Sequence, residues 1–347
     1  MISTETTTGQ VKMLRESRFF GRSAWAVTGL ALFVLAASQT GQAAERGTVR
    51  VGVLAFGTVN WELNVVKHHG LDRKHGVEIV INKLGGKAAT AVALQAGTVD
   101  AIVTDWLWVS RQRHRGADYT FVPHSLAVGG LMVRPRSGIV SLGDLKGRRI
   151  GIAGGSVDKS WLLMRAYAKK SIGTDLKDLA KPVFAAPPLL NKIMLRGEIP
   201  AVLNFWHYNA RLRVAGMKKL VGVAEILPAL GVERTPPLLG WVFSERWAAS
   251  NMSTAQGFLK SLRAAKKIMA ESDAEWERLK PLTKAKTAAT LAALRDGYRA
   301  GIPKSFAEHD IVAAKQIFRT LVVFGGPALV GKSKTLARGT FWTKYRF

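Results

Sequence analysis

From residue 48 onwards, short apolar runs alternate with longer stretches of helical periodicity, and this limits the fold more than any other feature. "TVRVGVLAF" reads as a strand and "TVNWELNVVKHHGLDRKHG" as a helix with Thr58 or Asn60 at its N-cap. "VEIVIN" is a strand, "KLGGKAATAVALQAG" a loop and a helix stopped by Gly97, and "VDAIVTDW" a strand. "LWVSRQRHRG" continues as a helix and "YTFVPHS" is extended. This β-α-β-α-β order predicts a parallel sheet with helices on both faces. A second round follows through "AVGGLMVRP", a short capped helix in "SLGDLKG", "RRIGIA", the helix "SVDKSWLLMRAYAKKSIG", "KPVFAAP", "PLLNKIMLRGE", "AVLNFW" and "HYNARLRVAG". Two α/β rounds in one chain predict two lobes rather than one continuous sheet.

Beyond the Pro-rich "ERTPPLLGW", "VFSERW" reads as a returning strand and the rest is mostly helical. Phe258, Leu262, Ala265 and Met269 share one side of a long helix. "TLAALRDGYRAGIP" and "HDIVAAKQIFRTLVVFGG" predict two more helices, and residues 332–347 form a basic, aromatic tail. At the other end, Lys12, Arg15, Arg18 and Arg22 precede an apolar run over 24–37, then small residues in "SQTGQAAE". That is the layout of a secretory signal peptide over 1–44, with cleavage after Ala43 or Ala44 and Met13 as an alternative start. The run is shorter than the ~20 residues of a membrane-spanning helix. The expectation is a periplasmic, monomeric protein. It has no cysteine, so neither disulfides nor a lipidated N-terminal cysteine are open to it.

The 347 residues carry a formal charge of +27; residues 45–347 hold 47 basic and 22 acidic side chains, or +25. Such a field favours anionic partners. The basic residues are scattered, however, and no nucleic-acid-binding spacing occurs. Catalytic patterns are also lacking. There is no G-x-S-x-G elbow, no P-loop lysine pattern, and "GIAGGS" does not have dinucleotide-binding spacing. No cofactor is expected. In "HHGLDRKH", His68 and His75 stand about two helical turns apart, too far for an ordinary zinc pair, and a solvated helix end is the simpler reading.

Three stretches in fixed order, "LQAGTVDAIVTDW", "SLGDLKGRRIGIAGGSVDKSW" and "LRGEIPAVLNFWHYNARL", resemble the periplasmic solute-binding proteins of ABC importers in the nitrate, sulfonate and taurine group, SsuA-like and NMT1/THI5-like. The resemblance runs over about residues 48–330. It implies a type II periplasmic-binding-protein fold: two α/β lobes joined by two crossing segments near 125–130 and 236–241, with the ligand in the cleft between them. Lobe 1 would comprise 45–126 plus 239–347, and lobe 2 127–238. It further implies capture of a small solute by closure of the lobes and delivery to an inner-membrane permease and its ATPase. The eukaryotic thiamine-pyrimidine synthases share the fold but carry a cysteine-rich segment, which this chain does not have.

In open α/β sheets ligands sit beyond the carboxyl ends of strands, against helix N-termini. The strand-end residues here are Thr58, Asn60, Trp61 and Glu62; Asp105 and Trp106; Gly155, Ser156, Asp158 and Trp161; Asn204 and Trp206; and Trp241. Ser156 is also placed to cap the following helix. Five tryptophans at strand ends point to aromatic walls for a small pocket. The charge of the solute stays open. Helix N-termini, Thr58, Ser156 and the net charge favour an anion such as a sulfonate. Glu62, Asp105, Asp158 and the indoles suit a cationic or aromatic solute, such as a thiamine precursor, or a metal ion or metal complex.

Overall fold

The computed structural model describes residues 46–55 and 57–344, so the stretch read as a signal peptide lies outside the described residues. The first round gives β1 (Gly47–Leu54), α1 (Val59–His68), α2 (Leu71–Lys74), β2 (Val77–Leu84), α3 (Lys87–Gln95), β3 (Ala101–Asp105), α4 (Trp106–Arg113) and β4 (Tyr119–Ser125). The second gives β5 (Gly130–Val133), β6 (Arg149–Ala153), α5 (Lys159–Ile172), α6 (Leu176–Leu179), β7 (Lys181–Ala185), α7 (Pro187–Leu195), β8 (Ala201–Asn204), α8 (Trp206–Val214), β9 (Lys218–Gly222) and α9 (Val223–Ile226). Then β10 (Leu239–Ser244) returns, followed by α10 (Glu245–Ser250), α11 (Met252–Glu271), α12 (Asp273–Thr283), α13 (Ala288–Ala300) and α14 (Glu308–Val330).

Two five-stranded sheets result, ordered β2-β1-β3-β10-β4 and β7-β6-β8-β5-β9. In each, four strands run in one direction and the fifth, β10 or β5, is inserted antiparallel to both its neighbours. Those two antiparallel strands follow the two passages of the chain between sheets, 126–129 and 223–238. The molecule is thus a two-lobed α/β protein, as the repeated alternation predicts.

Packing follows the sequence pattern. Phe258, Leu262, Ala265 and Met269 of α11 are buried against β1, as their spacing requires. One core cluster fills lobe 1 and takes in Ala210 of α8, a small one lies within lobe 2, and the largest joins side chains of both lobes with Ile317, Phe318 and Leu321 of α14. Within the aromatic tail, Phe341 bridges to Phe121, and the Trp342 ring packs edge-on against Phe243.

Four details differ from the sequence expectations. The first helix breaks at Gly70, whose φ of 60° is left-handed. "SLGDLKG" holds only a 3-10 turn, Gly143–Leu145. α6, β9, α9, α10 and α12 do not stand out in the sequence and are visible only in the structure, where Glu245 of "VFSERW" already begins a helix. Finally, α5 starts at Lys159 and is capped by Asp158, which accepts from the N–H groups of Ser160 and Trp161, so Ser156 is not the cap. A carboxylate one residue before the helix outcompetes a serine two residues further out.

Candidate functional site

A cavity of about 200 Å³ lies between the lobes at the carboxyl ends of their parallel strands. Lobe 1 supplies the end of β1 and the first turn of α1, the start of α3, and Val103 of β3; lobe 2 supplies the N-termini of α5 and α8. Ala127, Val128 and Gly129 of one passage and Leu238 of the other close it. Gly129 is required there, because a Cβ at that position would fall 1.8 Å from the Asn204 carbonyl oxygen. Asn60 pins the loop before α1 by donating to the Leu54 and Gly57 carbonyls at 2.9 and 3.3 Å. Thr58 occupies the N-cap position without a capping hydrogen bond from its side chain.

Three charged groups, Lys87, Asp158 and Lys159, line the cavity, and Asp105 stands behind Lys159. Lys159 Nζ of lobe 2 donates to Asp105 Oδ2 of lobe 1 at 2.9 Å, an ion pair that spans the lobes. Burial alone would raise the Asp105 pKa, but Lys159, Lys87 and the Trp108 N–H hold it below the usual carboxylate range. Burial would likewise lower Lys159, and Asp105 and Asp158 outweigh it to leave that pKa raised. Asp158 is pushed up by burial, against the pull of Lys159 and Lys87. Lys87, the most exposed of the four, is pressed down by desolvation between the lobes and then by the Lys159 charge. Gly154, with a φ of 86°, makes room for this arrangement: a Cβ there would lie 2.5 Å from Asp158 Oδ2.

Phe205, Trp206 and His207 also line the cavity. Trp206 meets Trp61 edge-on at 6.3 Å, and Gly297 of α13 leaves space for its ring. Burial and the Arg211 charge lower the His207 pKa to about 3, so the imidazole is neutral; its Nδ1 is buried without a partner among the described residues.

Of the residues singled out from the sequence, Thr58, Asn60, Asp158 and Trp206 line this cavity, and Asp105 reaches it through Lys159. Gly155 and Ser156 sit on the strand-end loop outside its lining. Trp61, Trp106, Trp161 and Trp241 are core residues; the Trp106 indole donates to the Pro237 carbonyl at 3.0 Å and so ties lobe 1 to the second passage. Glu62 is fully buried in lobe 1, accepting from Lys266 Nζ at 2.5 Å and Tyr298 OH at 2.7 Å. Asn204 is spent on structure: it donates to Pro187 and Asn191 and accepts from the Phe205 N–H. The sequence reading passed over Lys87 and Lys159 as site residues. Lys87 directly follows Gly85-Gly86 and Lys159 directly follows Asp158, so both carried a strand-end signal. His69 of the histidine-rich stretch pairs with Glu275 at 3.2 Å. Among the described residues, no group of three or more His, Cys, Asp or Glu side chains is placed to hold a metal ion. Nor is any described helix long and apolar enough to cross a membrane.

Comparison with solved structures shows the same fold elsewhere. The alkanesulfonate-binding protein SsuA of Xanthomonas axonopodis pv. citri, bound to MOPS, superposes with a TM-score of 0.67 at 18% identity, covering 86% of this chain and 99% of that one. The periplasmic aliphatic sulphonate binding protein SsuA of Escherichia coli gives 0.66 at 20% identity, over 85% and 97% of the two chains. The periplasmic nitrate-binding protein NrtA of Synechocystis PCC 6803 gives 0.56 at 10% identity, over 81% and 86%. No curated protein sequence matches the chain. The family model described as NMT1/THI5 like matches residues 56–275, a span that contains nearly all of the cavity lining together with both passages between the lobes. The chain belongs to the NMT1/THI5-like family.

Proposed function

We propose that this protein is the periplasmic substrate-binding component of an ABC importer, which captures a small solute between its lobes and presents it to an inner-membrane permease. The observation that carries this reading is the cavity: it draws its lining from both lobes and both passages, so a molecule bound there stabilises the closed arrangement directly. The secretory layout of residues 1–44 supports a periplasmic location, and the fold shared with sulfonate- and nitrate-binding proteins supports the transport role. No bond is made or broken in this function.

For the solute, the geometry favours an organic anion with an apolar body. Most of the lining is apolar, with Val103, Leu238 and Trp206 available to a hydrocarbon chain or ring. Lys159 is committed to Asp105, whereas Lys87 forms no ion pair among the described residues and points the site toward a sulfonate or carboxylate. Asp158 favours the opposite class, an amine-bearing or aromatic solute, but two lysines beside it offset its charge. Titration calorimetry with short alkanesulfonates, taurine, nitrate and aromatic amines separates the two. Binding of a sulfonate that weakens at least tenfold in Lys87→Gln supports the anion reading. Selective binding of amines, weakened by Asp158→Asn, reverses it. Binding that neither cavity variant alters removes the cleft from the function.

A further inference from the structure

A second cavity, of about 340 Å³, opens on lobe 1 between α11, the end of β4 and the segment after α13, and it shares no lining residue with the cleft. Its polar lining is one-sided. Arg263, Lys266 and Lys267 of α11, Lys304 and Trp241 line it; no carboxylate, hydroxyl or side-chain amide does, and the remaining wall is aliphatic. Among the described residues only Lys266 of these four cations meets a carboxylate, Glu62. Trp241 is 1% exposed, and its indole N–H has no acceptor among the described residues.

These features work against the stability of the isolated protein. Arg263 stands three and four residues from Lys266 and Lys267, a spacing at which like charges on a helix repel. A buried N–H without an acceptor is a further penalty. A concave surface of one sign with apolar walls also concentrates ions of the opposite sign. After the Glu62–Lys266 pair is set aside, three cations remain around one opening, more than a singly charged sulfonate needs. A phosphomonoester carries about −1.5 to −2 charges and three strong acceptor oxygens.

We infer that this cavity is a second binding site, for an organic phosphomonoester: the phosphoryl group is held by Arg263, Lys267 and Lys304, and the apolar body lies on the aliphatic wall. The same chemistry is found in a free phosphate ester and in the headgroup of a phosphatidate lipid. Calorimetry of the purified protein with 1-naphthyl phosphate, and co-sedimentation with phosphatidate–phosphatidylcholine vesicles, distinguish these sources. The expected result is binding in at least one of the two formats, weakened at least tenfold in the double variant Arg263→Gln/Lys267→Gln and unchanged in the cleft variant Lys87→Gln. Inorganic phosphate should bind more weakly than the ester. Both substitutions lie on an exposed helix face, so a thermal melt close to the parent's is expected alongside. Failure to bind either probe, binding insensitive to the double variant, or loss of binding in Lys87→Gln overturns the assignment.

Discussion

A tryptophan at a strand end can face a ligand or fill a core, and in this protein the two outcomes have different energetic signatures. Trp106, Trp161 and Trp241 are almost fully enclosed, so truncating any of them to alanine should cost about 3–5 kcal/mol of stability, read as a lower urea midpoint. Trp206 lines the cleft instead. Trp206→Ala should reduce solute affinity about tenfold, consistent with ~1–1.5 kcal/mol of aromatic contact, with a smaller change in stability. Equal stability losses across all four would place Trp206 in the core with the rest. Lys159 offers a second contrast. Its removal in Lys159→Met strands the Asp105 carboxylate in a buried site, an effect of about 3–5 kcal/mol. Adding Asp105→Asn should recover much of that, because asparagine removes the charge and still caps α4. Two histidines set an acid limb. His124 and His207 are kept neutral in the folded protein, the first by burial and Lys266, the second by burial and Arg211. Their folded pKa values lie below the unfolded value near 6.5, so the unfolded chain takes up protons that the native protein refuses as the pH falls. Stability is therefore full above pH ~6.5 and is lost below it, by up to about 1.4 kcal/mol per pH unit for each group. Urea midpoints measured between pH 7 and 5 should show this decline, and His207→Gln should flatten it.

At the scale of elements, the helix that matters most for the arrangement of the molecule is α14. It packs on α4 of lobe 1 and α5 of lobe 2, and it breaks at Gly326, where φ is 57° and ψ −164°. Pro327 follows and removes a helical N–H. An arginine from each lobe reaches the backbone around the break: Arg165 of α5 donates to the Phe324 carbonyl at 3.2 Å, and Arg111 of α4 to the Ala328 carbonyl at 3.4 Å. Only glycine is at ease in the Gly326 conformation, so Gly326→Ala should lower stability by about 1–3 kcal/mol, as a thermal or urea melt would show. "LVVFGGPALV" announces this stop through its Gly-Gly-Pro, and the sequence reading accordingly ends the helix at the second glycine. It cannot announce that the chain resumes as a helix beyond, because that second half is fixed by packing on α4 and α5. The same division holds elsewhere. Strands β1 to β8 and the longer helices between them are legible because their apolar residues repeat at periods of two or near four. β9, "KKLVG", is too short and charged to stand out and owes its place to pairing with β5. The site divides likewise. That the lining of the cleft gathers at strand ends is legible. Which strand-end residue turns inward is not, because Trp161 and Asp158 differ by three positions on one helix turn and only tertiary packing sends one to the core and the other to the cleft.

For the whole molecule, the question is what holds the two lobes together when no solute is present. Two covalent passages, α14 and the packing of α8 on α13 join them, and Arg211 of α8 donates to the Thr283 carbonyl at 2.6 Å. Among the contacts between the lobes, the one that pairs opposite charges at the cleft is Lys159–Asp105, with each partner less than 15% exposed in its side chain. If this pair contributes one to two kcal/mol to closure, its loss shifts the ratio of closed to open molecules by about five- to thirtyfold. A solute that needs both lobes then binds more weakly by the fraction of closed molecules lost, while its contacts inside the cavity stay the same. The variant Asp105→Asn/Lys159→Met, which leaves no stranded charge, is therefore expected to show a larger radius of gyration than the parent in small-angle scattering without solute. With saturating solute the two radii should converge, and the apparent Kd of the variant should rise by up to that factor. Identical scattering in both states, together with an unchanged Kd, would mean that α14, the α8–α13 contact and the two passages set the spacing of the lobes and that the ion pair serves only the fold.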